Sequence, residues 1–376
     1  MYGRDPARTS ASDGCVDGPL RVTYRFVPRA PCGYRSARGR IQHAVADSEA
    51  VFAAGDCERA PAVWRVDASG ASVWTMSRAD YSRASWPAIA GDVVVSTDDG
   101  VFFADRATGK RKSRELDVWG ESIFDGKRFF VDNTWQLDSA GPFVGRFDAD
   151  LRWVWRASQF DGARGKNVAD VGGIALGGDV VVHAAAAGPR GVPLLSAHDA
   201  DTGVVKWSAK RSWPESAPAV GGDRVFALER WNGESDDRLV ARDLASGEVA
   251  WSAKSGWARG TPPAITPKLV LVHARDALRA FDRGSGGLVW TATIPRTAPL
   301  VQSMTTIAVA LGSSTIVATS GGRVFLLRLD DGRQLWSDDL VTGNGSSVHS
   351  PIVVGRTVYV VTRTLTDLGT LVRLDP

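Results

Sequence analysis

Leu194-Leu-Ser-Ala-His-Asp-Ala-Asp-Thr-Gly-Val-Val-Lys-Trp207 reads as a short apolar strand, a tight turn and a second strand carrying a Trp. Asp199 stands where a carboxylate can cap the turn, and Gly203 where the backbone needs positive φ. The unit returns at Leu239–Trp251, Leu278–Trp290 and Phe325–Trp336, each with a Trp four residues after a Gly. Fainter copies lie at Val63–Trp74, Val101–Ser113 and Val144–Trp155, and Leu371–Asp375 is a half-copy.

The Asp anchors of these units are Asp67, Asp105, Asp148, Asp199, Asp243, Asp282, Asp330 and Asp375, spaced 38 to 51 residues apart. That spacing is the size of a propeller blade. Within one period, residues 85–116 break into four runs of five to seven residues divided by Gly91-Asp92, Asp98-Asp99-Gly100 and Ala107-Thr-Gly109. Such runs are expected to form antiparallel meanders. The expected fold is therefore all-β: an eight-bladed β-propeller of four-stranded antiparallel blades. The last blade lacks a fourth strand at the C-terminus. Leu20–Phe26 alternates apolar and polar residues ahead of the first inner strand and is expected to complete it, closing the ring. Tyr24 would then stand where Trp stands elsewhere. Residues 1–19 read as a flexible lead, and 20–376 as a single propeller domain.

The chain has 376 residues, 44% hydrophobic and 23% charged, with a formal charge of +3. The near-neutral balance argues against a nucleic-acid or anionic-membrane partner, and 37 Arg against eight Lys reads as codon bias. No apolar run reaches the ~18 residues of a transmembrane helix. The N-terminus lacks an apolar core for a signal peptide, and Ser12-Asp13-Gly14 before Cys15 is no lipobox. Cys15, Cys32 and Cys57 match no metal spacing; an odd count leaves either one disulfide, Cys32 with Cys57 first among the pairings, or free thiols.

The pattern Ala-x-Asp-x-x-Thr-Gly-x-x-x-Trp at Ala197–Trp207, and nearly at Ala241–Trp251, resembles the repeat of PQQ-type, quinoprotein-like propellers. The resemblance covers roughly residues 41–376. It implies that each Trp docks flat between neighbouring blades with its indole N–H on a backbone carbonyl. Active quinoprotein dehydrogenases carry an adjacent-Cys ring and a Ca²⁺ set of Glu, Asn and Asp; this chain has no Cys-Cys pair. No cofactor and no metal is expected. The resemblance extends to the bacterial outer-membrane barrel-assembly lipoprotein type and to exported proteins, which implies an extracytoplasmic location.

The recurring Asp, Gly and Trp are structural, because a catalytic residue is needed only once. No nucleophile elbow, P-loop, His-Glu-x-x-His or EF-hand loop is present. Paired carboxylates such as Asp236-Asp237 read as solvated caps. The non-repetitive signal is aromatic and basic. Arg83, Trp86, Trp119, Arg211, Trp213, Trp257, Arg259 and Arg296 fall in connections from a fourth strand to the next inner strand. Trp135 and Trp231 fall in the long second-to-third-strand loops, at the same end of a blade. Large aromatics with Arg are what interaction surfaces enrich. The expectation is a monomeric, non-enzymatic scaffold binding a protein or peptide through that face. The alternative is a small-ligand binder or enzyme at the channel mouth, where His43 and His349 begin the inner strands of the first and last blades.

Overall fold

The structure, a computed structural model, describes residues 11–28, 39–57, 60–77, 87–90, 93–96, 102–112, 122–133, 143–148, 150, 152–158, 168–187, 194–210, 213–214, 216–230, 237–256, 262–274, 277–294, 307–342, 346–364 and 369–376. It is a β-propeller of antiparallel blades. The chain divides into two compact units, one of Met1–Tyr2, Ser10–Asp117 and Ala292–Pro376, the other of Gly3–Thr9 and Val118–Thr291.

The first unit holds four sheets. In chain order they are the first (Gly39–Ala46, Val51–Cys57, Ala60–Val66, Ser72–Ser77), second (Ala88–Ala90, Val93–Ser96, Phe102–Asp105), seventh (Ile307–Ala310, Thr315–Ser320, Arg323–Arg328, Gln334–Asp339) and eighth (Ser347–Val354, Thr357–Arg363, Thr370–Asp375). Two N-terminal strands join them. β1 (Ala11–Ser12) pairs parallel to the inner strand of the seventh sheet, and β2 (Arg21–Phe26) pairs antiparallel to Thr370–Asp375 as the outer strand of the eighth. The expected closing strand thus takes its place. The lead differs from expectation over residues 11–19. Beyond the pairing of β1, Val16 is fully buried among Ala308, Val317 and Val353, because an apolar side chain there fills a gap between two sheets.

The second unit holds the third (Ser122–Phe124, Phe129–Asn133, Phe143–Phe147, Trp153–Ser158), fourth (Val168–Gly177, Val180–Ala187, Leu194–Asp199, Val205–Lys210), fifth (Trp213–Pro214 with Ala219–Gly221, Arg224–Arg230, Arg238–Asp243, Val249–Lys254) and sixth sheets (Ala264–Ile265, Leu269–Ala274, Ala277–Asp282, Leu288–Thr293). The expectation of eight four-stranded blades is corrected: among the described residues seven sheets have four or more strands. The second sheet has three, and only the isolated bridge Ala104↔Arg111 marks where a fourth would run. The fourth strand expected from Lys110 falls outside the described residues beyond Lys112, and Ser113 stands in the sequence where other copies have Trp.

Burial falls from the inside of a blade outward. Arg224–Arg230 buries its five central residues, whereas Val249–Lys254 on the outer edge buries none. A middle strand has a neighbouring sheet on both faces and is therefore apolar throughout, while an edge strand is half solvated. Apolar clusters join consecutive sheets: Phe226 and Leu239 of the fifth pack with Val270 and Phe281 of the sixth. Ile41 and Trp64 of the first pack with Tyr359 and Leu371 of the eighth.

The repeated unit ties neighbouring blades. Trp207 Nε1–H donates to the Leu244 carbonyl at 2.9 Å, Trp155 to Ala200 at 3.1 Å, Trp251 to Arg283 at 3.1 Å and Trp74 to Arg106 at 3.0 Å. Each acceptor follows the anchor Asp of the next blade. A buried indole needs such a partner. Gly247 lies under the Trp207 ring with φ of 75°; a Cβ there would come within 2.5 Å of the indole. Gly is required twice over, for the left-handed backbone and for the contact.

The anchors work as Asx caps. Asp199 Oδ1 accepts from Thr202 N–H at 2.9 Å and from the Thr202 hydroxyl at 2.8 Å, and Asp243 does the same with Ser246. These bonds hold the carboxyls of Asp199 and Asp243 below the usual range. In the seventh sheet the expected anchor Asp330 is displaced. Gly332 N–H bonds the Arg328 carbonyl, as Gly203 N–H bonds Asp199, so Arg328 holds the anchor position. Its guanidinium pairs with Asp331, whose carboxyl is lowered to about 2, first by that hydrogen bond.

Candidate partner-binding site

The fifth sheet builds a base for the loops that carry the aromatic and basic candidates. Its inner strand is broken: Trp213–Pro214 pairs with Arg230 and Glu229, and Ala219–Gly221 resumes pairing at Arg224–Phe226. Pro214 lacks the amide to continue a ladder, which suits the start of a strand. Trp213 is thereby placed at the loop end of the blade, across from Arg230; its side chain lies outside the described residues.

Arg230 closes that end. Its Nε and Nη2 donate to Asp237 Oδ1 at 3.1 and 2.6 Å, and Asp237 is fully buried. The connection 231–236, with Trp231, leaves from one member of this pair and returns to the other. Asp237 then ties in the fourth strand: its carbonyl accepts from Ser255 N–H at 3.0 Å and from the Ser255 hydroxyl at 2.8 Å. Gly256 follows with φ of 74°, and an added Cβ would lie 3.0 Å from Arg279 Nη1 of the sixth sheet. The stretch 257–261, with Trp257 and Arg259, therefore starts from a fixed point. A second pair runs along the blade, Arg242 to Glu229, bidentate at 3.0 and 3.0 Å, with Glu229 buried. Planar fork-to-carboxylate geometry makes this a rigid brace.

Asp237 corrects the reading of Asp236-Asp237 as solvated caps. A buried carboxylate must be paired, and the pairing Arg sits on the other side of the loop. The signal available in the sequence was a charge pair, Arg230 and Asp237, flanking a six-residue polar loop.

A polar seam lies between the third and fourth sheets. His183, fully buried, has Nε2 3.3 Å from Oδ1 of the buried Asp132. Across the ladder from His183 is Ser196, whose hydroxyl lies 2.9 Å from His198 Nε2; His198 Nδ1 lies 3.2 Å from the Gly203 carbonyl. A carbonyl only accepts, so Nδ1 carries the proton and Nε2 accepts from Ser196. Burial first, and then the charge of His183, push the His198 imidazole down to about 4. Ser196 and His198 are both buried, at 2% exposure, and form packing rather than an open nucleophile–base pair.

The remaining candidates divide as follows. Arg83, Trp86, Trp119, Trp135, Arg211, Trp231, Trp257, Arg259 and Arg296 lie outside the described residues, as does Cys32 of the suggested disulfide; Cys15 is a free thiol. His43 lies on the inner strand of the first sheet, next to a register shift, and His349 on that of the eighth, also next to one. The two strands belong to sheets that share a core, though the His349 side chain lies outside the described residues. Among the described residues no group of three or more His, Cys, Asp or Glu could hold a metal, and no helix is long and apolar enough to cross a membrane.

Comparisons with known proteins agree on the architecture. The BamB crystal structure from Moraxella catarrhalis superposes with a TM-score of 0.66 at 16% identity, covering 96% of this chain and 98% of that one. A europium-containing methanol dehydrogenase gives 0.67 at 12% identity, covering 100% and 97%. Sqt1 of Saccharomyces cerevisiae gives 0.63 at 10%, covering 91% and 97%. At these identities the likeness is one of fold. No curated protein sequence matches the chain. The family profile described as outer membrane protein assembly factor BamB matches residues 132–256 and 194–365, which takes in the fourth, fifth, sixth and seventh sheets and most of the repeat. Blade, docking Trp and profile agree, and the chain belongs to the outer membrane protein assembly factor BamB family.

Proposed function

We propose that the chain is a non-catalytic scaffold that holds a protein or peptide partner at the loop ends of its blades, centred on the fifth sheet. The observation that carries this reading is the braced base there: Arg230, Asp237 and Ser255 tie together the strand ends from which the connections bearing Trp231, Trp257 and Arg259 leave. Rigid aromatic and Arg anchors on a fixed base bind at low conformational cost. The opposite ends of the blades carry short Asp/Gly turns with little reach. The family name adds the setting, an extracytoplasmic role in assembling outer-membrane proteins, with residues 20–376 acting as one monomeric propeller domain.

The test is a pull-down followed by titration of the recovered partner. Trp213, Trp257 and Arg259 changed together to Ala should weaken binding by ~2 kcal/mol or more. Changes at Thr202, Ser246 or Asp331, on the turn ends, should leave it unchanged while the fold survives. The reverse pattern would move the site to the other end of the blades. Loss of binding from His43 and His349 changes alone would favour the channel mouth.

A further inference from the structure

The segment between β1 and β2 crosses two blades from their inner to their outer side. After β1 has paired with Val309 and Ala310, the Gly14 carbonyl accepts from Gly312 N–H at 3.0 Å. Cys15 N–H donates to the Gly355 carbonyl at 2.8 Å, which moves the contact to the eighth sheet. Val16 N–H returns to the Ser313 hydroxyl at 2.8 Å, and the Val16 carbonyl accepts from the Thr315 hydroxyl at 2.8 Å. Asp17 then pairs with Arg356 at 3.2 Å, and Leu20 is buried beside Val16 before β2 begins.

These contacts alternate between the first hairpin of the seventh sheet, at Leu311–Thr315, and that of the eighth, at Gly355–Arg356. Closure by β2 needs none of them, since β2 pairs with Thr370–Asp375 on the far edge. Gly14 is built into the crossing: a Cβ there would lie 2.5 Å from Val353 Cγ1 and 2.7 Å from the Gly355 oxygen.

We propose that Ala11–Leu20 is a strap that locks the hairpin ends of the seventh and eighth blades together, and that its release opens this seam as a local unit while β2 stays paired. Whatever pulls on the chain ahead of Ala11 would then act on the seam. Local openings of this kind are read by amide exchange.

The experiment compares hydrogen exchange in the full chain, in a deletion of residues 1–19 that keeps β2, and in Gly14→Ala. The expected result is exchange at least ~10-fold faster over residues 309–316 and 353–357 in both variants, with 323–328 and 370–375 unchanged. Unchanged rates over 309–316 and 353–357 would overturn the strap. So would loss of protection across 370–375, because strap and closing strand would then be one cooperative element. Gly14→Ala keeps every core side chain, so it decides the matter if the deletion does not fold.

Discussion

Tyr24 of the closing strand lies over Gly70 of the first blade, where an added Cβ would come within 2.7 Å of the ring. The same relation joins Trp207 to Gly247 and Trp251 to Gly286, so a phenol does at the closure what an indole does elsewhere. Arg373 completes the join by donating to the Ala68 carbonyl at 2.6 Å. Burial is the first cause that raises the Tyr24 hydroxyl above its ordinary range.

Tyr24→Ala should therefore lower stability by ~2–4 kcal/mol, as loss of a packed ring does. Gly70→Ala should also destabilise, because its φ of 86° and the ring above it both exclude a side chain. The double variant should cost less than the two added together, since either change alone already breaks the contact. Chemical denaturation of the four proteins measures this, and strict additivity would dissolve the proposed pairing.

Trp207→Ala should cost ~3–5 kcal/mol, since Trp207 is 9% exposed and holds a bonded indole N–H. Val205→Ala on the same strand should cost under ~1 kcal/mol, because Val205 is 54% exposed. Thermal melts at one pH are sufficient. A comparable loss from both would mean that the edge strand, rather than the indole dock, sets stability.

His198 gives a pH dependence with a definite sign. Its folded value of about 4 lies below the ordinary 6.5, so the unfolded chain binds the proton more readily. Stability is fully present above ~6.5 and falls as pH drops toward ~4. His198→Gln should flatten that limb of a melting-temperature profile, and an unaltered slope would place the acid sensitivity in other groups.

Arg230→Ala removes the bidentate guanidinium from the buried Asp237 carboxylate and should cost ~3–5 kcal/mol. Replacing both by Met and Leu should restore much of the stability without restoring partner affinity, since the loop bases lose their fixed geometry. Recovery of both properties together would show that the pair is packing alone.

Much of the fold was legible because it repeats. Asp199, Gly203 and Trp207 each satisfy a backbone or packing need that recurs in most blades, so worn copies could be read against good ones. The anchor at Asp330 misled because Asp-Asp-Gly offers two carboxylates, and only the bond from Gly332 to Arg328 sets the count. Residues 11–19 read as a lead because Gly14 and Asp17 carry no strand signal; their bonds are to turns more than 290 residues away. The loop residues announced themselves by type, whereas their base did not. Arg230 and Asp237 are six residues apart in the gap between them, and no local pattern says that the charge between them is buried.

The pairing of third and fourth strands slips by one residue at Arg65/Val66, Arg146/Phe147, Ala197/His198, Ala241/Arg242 and Leu326/Leu327. In each of these sheets the slip falls just before the turn into the outer strand. Those outer strands expose Val73, Val154, Val205, Val249 and Leu335, a row of apolar residues on open edges. Straight edges of that composition would zip onto the edges of other molecules. A bulge bends and over-twists the rim, so neighbouring copies cannot align a continuous ladder. The slip beside each of these turns therefore also blunts an apolar edge against strand addition.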